Sequence, residues 1–112
     1  MNSYLPTGLD TELAALLGPY AWWRDEATRR AHGGDDSGQS ALPGAVATPN
    51  NREQVVAIVN ACRRHRVPLV ARGAGTGTTG AAVPFSGGVV VSFARMNRIL
   101  SIRPDDRCAV VE

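Results

Sequence analysis

Between Arg72 and Gly88 the chain can be neither a continued helix nor a regular strand. Its neighbours must fold around that fact. The stretch opens with Val67-Pro68-Leu69-Val70-Ala71, an apolar run with a proline at its edge, which reads as a buried strand. It then breaks into Arg72-Gly73-Ala74-Gly75-Thr76-Gly77-Thr78-Thr79-Gly80. Six of the chain's 12 glycines lie between Gly73 and Gly88, so the bias is local. Holding a glycine in one conformation costs roughly 0.5–1 kcal/mol relative to alanine. Several such costs in a row point to a backbone kept bare for close approach. Successive N–H groups in such a turn can converge on an anion. Thr76, Thr78 and Thr79 add small donors, and a phosphate or pyrophosphate is the natural occupant.

Two familiar phosphate loops do not fit. A Walker-type loop needs a lysine after its last glycine. This chain has no lysine, and all 12 of its basic residues are arginine. Gly75-Thr76-Gly77-Thr78-Thr79-Gly80 matches G-x-G-x-x-G, but in the Rossmann motif those glycines open a helix, with an acidic residue about 20 positions on. Here Ala81-Ala82-Val83-Pro84-Phe85-Ser86-Gly87-Gly88 follows, which cannot sustain a helix, and no acidic residue occurs between Gly80 and Asp105.

The run Arg72 to Pro84 instead resembles the flavin-pyrophosphate loop of the vanillyl-alcohol-oxidase (PCMH-type) FAD-binding family. The likeness continues through Gly87-Gly88-Val89-Val90-Val91-Ser92 and Met96-Asn97-Arg98-Ile99-Leu100, where it is nearest the glycolate oxidase flavin subunit and D-lactate dehydrogenases. Upstream it takes in Ala47-Thr48-Pro49, and in all it covers about Pro43 to Glu112. One departure is Thr78-Thr79-Gly80-Ala81, where many relatives carry Leu-Ser-Gly-Gly; small residues replace small ones.

Size and composition suit a single domain or part of one. A chain of 112 residues buries on the order of two-thirds of its unfolded surface. With 44% hydrophobic and 20% charged residues it is ordinary globular material, and a net charge of +2 is too weak to argue for nucleic acid or a membrane. Met1-Asn2-Ser3-Tyr4-Leu5-Pro6 shows no secretory signal, so a cytoplasmic location is expected. Cys62 and Cys108 form no C-x-x-C pair, and His32 and His65 offer no metal spacing with them. Both cysteines read as packing thiols in a reducing compartment.

Along the chain, Leu9 to Leu17 reads as a short helix capped by Asp10 or Thr11 and stopped by Gly18-Pro19. Tyr20 to His32 has no clean period; Trp22-Trp23 there suggests packing on the face of the next domain. Gly33 to Gly44 reads as loop and boundary, dividing a helical segment and linker at 1–42 from a domain at 43–112. Ala45-Val46-Ala47-Thr48 is a strand. Asn50 and Glu53 suit a capping box, and Arg52 to Arg66 a helix with a broad apolar face of Val55, Val56, Ile58, Val59 and Cys62. The run Arg63-Arg64-His65-Arg66 is better explained by the dipole of a helix C-terminus than by nucleic acid. The strand Val67–Ala71 completes a parallel, right-handed βαβ unit. Val89 to Phe93 is a nearly buried strand, and Ile99–Ile102 and Cys108–Glu112 form a hairpin about the turn Pro104–Arg107.

The fold class expected is α+β: the N-terminal half of a PCMH-type FAD-binding domain, a βαβ unit followed by further strands, incomplete at its C-terminal side. The chain stops inside the strand Cys108–Glu112, where the resembling family continues the sheet and supplies more of the flavin site. No carboxylate pair, Ser-His-Asp set or metal cluster is visible, so no catalytic or metal residue is assigned; His32 and His65 read as solvated side chains without positioned partners. The resemblance implies FAD held by Arg72, Gly73, Ala74, Gly75, Thr76, Gly77, Thr78, Thr79 and Gly80, with Arg72 either adding charge to the site or tying the loop to the sheet. It implies non-covalent binding at this loop, because relatives with a histidyl-flavin bond commonly carry His where this chain has Thr76. It further implies oxidation of a 2-hydroxy acid such as glycolate or D-lactate by hydride transfer to FAD, and peripheral association with other oxidase subunits. The alternatives are another branch of the fold, acting on an alcohol, an amine or a sugar nucleotide, and a non-catalytic remnant. Alone, the 112-residue chain is expected to show no turnover and feeble FAD binding at best.

Overall fold

Helix α3 (Arg52–Arg64) is defined by its ends as much as by its apolar face. Asn51 stays extended, and its side chain accepts the Gln54 backbone N–H at 2.8 Å. The Gln54 side chain reaches back to the Asn50 N–H at 2.9 Å. The reciprocal cap therefore forms one residue later than the Asn50–Glu53 pairing expected, and Glu53 is left in the first turn, where a carboxylate favours the dipole. At the other end Arg66 takes the left-handed conformation, φ 54°. Its N–H meets Arg63 O at 3.2 Å and the Val67 N–H meets Cys62 O at 2.9 Å. That pair of bonds is a Schellman closure, with arginine where glycine is usual. The helix accordingly ends at Arg64, short of Arg66.

The computed structural model describes residues 5–112; Met1–Tyr4, the head of the stretch without a visible secretory signal, lie outside the described residues. Helix α1 (Thr7–Leu17) begins earlier than expected, with Pro6 at its N-cap position and no side-chain cap. Asp10 and Thr11 lie inside the helix. Asp10 instead accepts the Trp22 indole N–H at 2.8 Å and pairs with Arg24 at 2.7 Å.

Trp22 and Trp23 form strand β1, followed by helix α2 (Glu26–Ala31), neither of which the uneven pattern of that region suggests. Helix α2 is capped by Asp25, which accepts the Thr28 backbone N–H at 2.9 Å and its hydroxyl at 2.7 Å. Strands β2 (Ala45–Ala47), β3 (Leu69–Arg72) and β4 (Val89–Ser92) join β1 in one sheet of order β1-β2-β4-β3. Strand β1 runs antiparallel to β2, while β4 lies parallel to both β2 and β3. The expected βαβ pair of β2 and β3 is therefore split by β4. Strand β4 is buried along its whole length, and β3 becomes a half-buried edge rather than a core strand. The apolar run of β4 is what a parallel strand covered on both faces requires.

The core joins Leu5, Leu9, Leu13 and Trp22 to Ala45, Ala47, Ile58, Ala61, Cys62, Val89 and Val91. The face of α3 that enters it is narrower than its sequence suggests. Val56 and Val59 are exposed, because only the Ile58-Ala61-Cys62 side meets α1 and the sheet. Burial pushes the Cys62 thiol up to about 11, with Glu12 adding to the effect. Arg64 and His65 meet Glu12 of α1, so part of the basic run pins two helices together.

Strands β5 (Ile99–Arg103) and β6 (Cys108–Val111) form a separate two-stranded hairpin. Its turn is closed by the Arg107 N–H on Pro104 O at 3.1 Å. Its open end is clasped by Glu112, which accepts the Arg98 backbone N–H at 2.9 Å and its guanidinium at 2.8 Å. Cys108 is exposed on this hairpin and is not the packing thiol expected.

Candidate functional site

The parallel strands β2, β4 and β3 run the same way, and the glycine loop leaves the carboxyl end of β3. Open α/β sheets place ligands beyond that edge. The Phe93 N–H on Arg72 O at 3.0 Å extends the β3–β4 pairing to the loop's first residue. From there the backbone runs free. Among the described residues, no backbone carbonyl accepts a hydrogen bond from any N–H between Gly73 and Ala82, and the Gly80 and Ala82 amides point instead at the Asp35 carboxylate. Gly73, Ala74, Thr76, Gly77, Thr78 and Thr79 are exposed, Gly75 and Gly80 partly so. A run of unsatisfied, accessible donors is what an anion cradle requires.

Gly75 shows why the backbone must be bare. Its φ is 75°, and a Cβ there would run into the Arg72 guanidinium. Gly80 also takes a positive φ, 83°, whereas Gly73 has open space around it. Arg72 folds back beneath Gly75 and donates from Nη1 to Gly34 O at 2.6 Å. It thus ties the loop to the preceding segment while keeping its charge next to the loop's first half.

The second half rests on the segment Gly33–Gly44, which the sequence suggests is only a linker. The Asp36 N–H donates to Gly77 O at 2.9 Å. Asp35 accepts the Ser37 N–H on Oδ1 at 2.9 Å, and its other oxygen is buried without a hydrogen-bond partner. Hydrogen bonds from Ser37 hold this carboxyl below the usual range against the opposing effect of burial, helped by the nearby amides of Ala82 and Gly80. The loop is therefore electrostatically divided, with the Arg72 guanidinium at one end and the Asp35 carboxylate behind the other. Asp35 had only turn chemistry to mark it in the sequence; its proximity to the loop depends on the fold.

The remaining titratable candidates lie elsewhere, and both histidines have partners, contrary to expectation. His65 Nε2 lies 3.1 Å from Glu12 and His32 Nδ1 lies 2.8 Å from Thr28 O, so each serves local packing. His32 also lines an open recess of about 270 Å³ with Tyr20, Trp23, Thr48 and Arg95. No group of three or more metal-ligating side chains occurs among the described residues. No helix among them is long and apolar enough to cross a membrane.

A family profile described as "FAD binding domain" matches residues 43–112, which include the loop and all four strands from β3 onward. The chain belongs to that FAD-binding domain family. Similarity to individual proteins agrees. The chain is 35% identical over 102 residues to glycolate oxidase subunit GlcD of Bacillus subtilis, covering 90% of this chain and 22% of that protein. It is 41% identical over 102 residues to D-2-hydroxyglutarate dehydrogenase of Stutzerimonas stutzeri, with the same coverage. Among solved structures, 4-ethylphenol oxidase from Gulosibacter chungangensis superposes with a TM-score of 0.80 at 30% identity, covering 94% of this chain and 21% of that one. The fold is thus a PCMH-type FAD-binding domain in part, and the chain spans about a fifth of the length of the relatives it matches. FAD is the cofactor of this family, and the loop fits it: the donors from Gly73 to Thr79 are unpaired, and the missing side chain at Gly75 leaves room for the Arg72 guanidinium beside them.

Proposed function

We propose that this chain is the FAD-binding portion of a flavin-dependent oxidoreductase acting on a 2-hydroxy acid of the glycolate or D-lactate type. The observation that carries the site is the unpartnered backbone from Gly73 to Thr79, bare at Gly75 and charged at Arg72. In this reading Arg72, Gly73, Ala74, Gly75, Thr76, Gly77, Thr78, Thr79 and Gly80 hold the pyrophosphate. The amides and threonine hydroxyls donate to its oxygens, and Arg72 offsets its charge while anchored on Gly34. The 2-hydroxy-acid class is supported by the two matched relatives, a glycolate oxidase subunit and a D-2-hydroxyglutarate dehydrogenase. The word "subunit" in the first supports association with further oxidase chains. Bound FAD supplies the hydride acceptor for the substrate α-carbon. The residues of this chain bind and orient it, and none is assigned to proton transfer.

The test is Gly75→Val in the flavin-bearing protein. A β-branched side chain opposes the positive φ and collides with Arg72, so the purified variant is expected to be colourless. A variant as yellow as wild type would refute the cradle. Attachment at this loop is non-covalent in this reading, since Thr76 offers no matching nucleophile. Acid precipitation is expected to release all the colour to the supernatant, and colour in the pellet counts against it.

A further inference from the structure

A carboxylate oxygen buried without a donor costs free energy that a stable fold does not normally leave uncompensated. Asp35 Oδ2 is such an atom. A proton on Asp35 would relieve it, but the carboxyl is held below its usual range, so the charged form is the favoured one. The remaining source of compensation is nearby donors. The amides of Gly80 and Ala82 point at this carboxylate and help to hold it in the charged form, although Oδ2 itself has no partner at full hydrogen-bond geometry. A Cβ on Gly77 would stand 4.0 Å from the same oxygen, and one on Gly80 would stand 3.9 Å from Ser37 Oγ. The adjacent Asp36 N–H already holds Gly77 O at 2.9 Å. The turn Gly77–Ala82 therefore lies directly on the Asp35–Ser37 segment.

We propose that Asp35 is a positioning residue for the flavin loop: its carboxylate takes the Gly80 and Ala82 amides and fixes that turn. The amides from Gly73 to Thr79 are then left to the pyrophosphate, and Gly80 supplies the turn that closes the cradle behind them. The two halves divide the work by charge. An anion belonging to the protein orders the rear turn before any ligand arrives, and the guanidinium end receives the ligand's anion. The hold on the turn stands independently of the cofactor; its consequence for FAD rests on the function proposed above.

Amide hydrogen exchange on the isotope-labelled chain near pH 7, without flavin, reads the turn directly. In Asp35→Asn the Gly80 and Ala82 amides are expected to exchange about tenfold faster, the order of effect of losing one charge-assisted hydrogen bond. The amides of β4 are expected to be unchanged. Asp36→Asn, which leaves the backbone bond to Gly77 intact, is expected to leave both sets alone. In the flavin-bearing protein the FAD dissociation constant of Asp35→Asn is expected to rise by about tenfold. Unchanged exchange at Gly80 and Ala82 overturns the proposal, as does faster exchange with unaltered FAD affinity. If the wild type takes up no FAD while the exchange response persists, the flavin reading fails and the hold of Asp35 on the turn stands. Should Asp35→Asn lose protection in β4 as well, a wild-type pH titration decides. The Gly80 and Ala82 amide shifts must then follow the Asp35 carboxyl carbon at a midpoint below the usual carboxylate range, and independent midpoints would overturn the assignment.

Discussion

Val89-Val90-Val91 in β4 and Ile99-Leu100-Ser101-Ile102 in β5 are runs of similar apolar, branched character, and both form strands. The valines are 0%, 0% and 2% exposed, whereas Ile99, Leu100 and Ile102 are 64%, 57% and 64% exposed. Side-chain chemistry does not account for that contrast. Strand β4 has a parallel neighbour on each side and the core against it. Among the described residues, strand β5 pairs with β6 alone. Strand formation is local, through branched side chains and turn residues, but burial is conferred by what lies across the sheet. A lone two-stranded hairpin has marginal stability and offers bare edges for association.

The sharpest way to break this comparison is to make one substitution in both regions. Ile58→Ala empties a fully buried site and is expected to cost about 2–5 kcal/mol in chemical denaturation. Ile102→Ala, at 64% exposure, is expected to stay within about 0.5 kcal/mol of wild type. Equal losses would mean that the hairpin folds as part of the core.

Acid should separate the regions next. For Asp10, burial raises the pKa, but the Trp22 indole N–H and Arg24 outweigh it, so the folded value lies below the ordinary 3.8. The stabilisation is then complete above the unfolded pKa and disappears as pH falls through the folded one. That window lies below about pH 4. Asp10→Asn is expected to cost about 1 kcal/mol at neutral pH, with the gap to wild type closing in that acid range. Glu112 is likewise held low, chiefly by the Arg98 side chain and then by its backbone N–H. Its protonation is expected to unclasp the end of the hairpin, seen as a local NMR shift change, without moving the global unfolding midpoint.

The smallest effect concerns two arginines in the left-handed region, Arg66 at φ 54° and Arg107 at φ 53°. Arg66→Gly relieves strain at the closure of α3 and is expected to gain about 0.5–1 kcal/mol. Arg107→Gly relieves the same strain in the hairpin turn, where global stability should not register it. A matching gain from both would again show the hairpin coupled to the core.

What could be read from residue order was whatever depends on neighbours along the chain. The glycine loop, α3, β4 and the hairpin turn each announce themselves within about a dozen residues. The α3 cap was misplaced by one position because Asn50 and Asn51 are equally good capping residues, and only the backbone dihedrals choose between them. Strand β1 and helix α2 were missed for a related reason. The two residues Trp22–Trp23 are too few to show a period, and the six-residue α2 rests largely on the Asp25–Thr28 cap.

By itself the sequence determined a glycine-rich backbone that must stay bare and a strand apolar enough to be central. These follow from conformational freedom and hydrophobicity, which belong to each residue and its close neighbours. Only the tertiary structure decided that β4 enters between β2 and β3, which makes β3 an edge strand. It alone brought Gly34, Asp35 and Asp36 beneath a loop that lies some 40 positions further along the chain. Strand order and inter-segment contact are set by how the whole apolar surface is shared out, and no local run of residues carries that information.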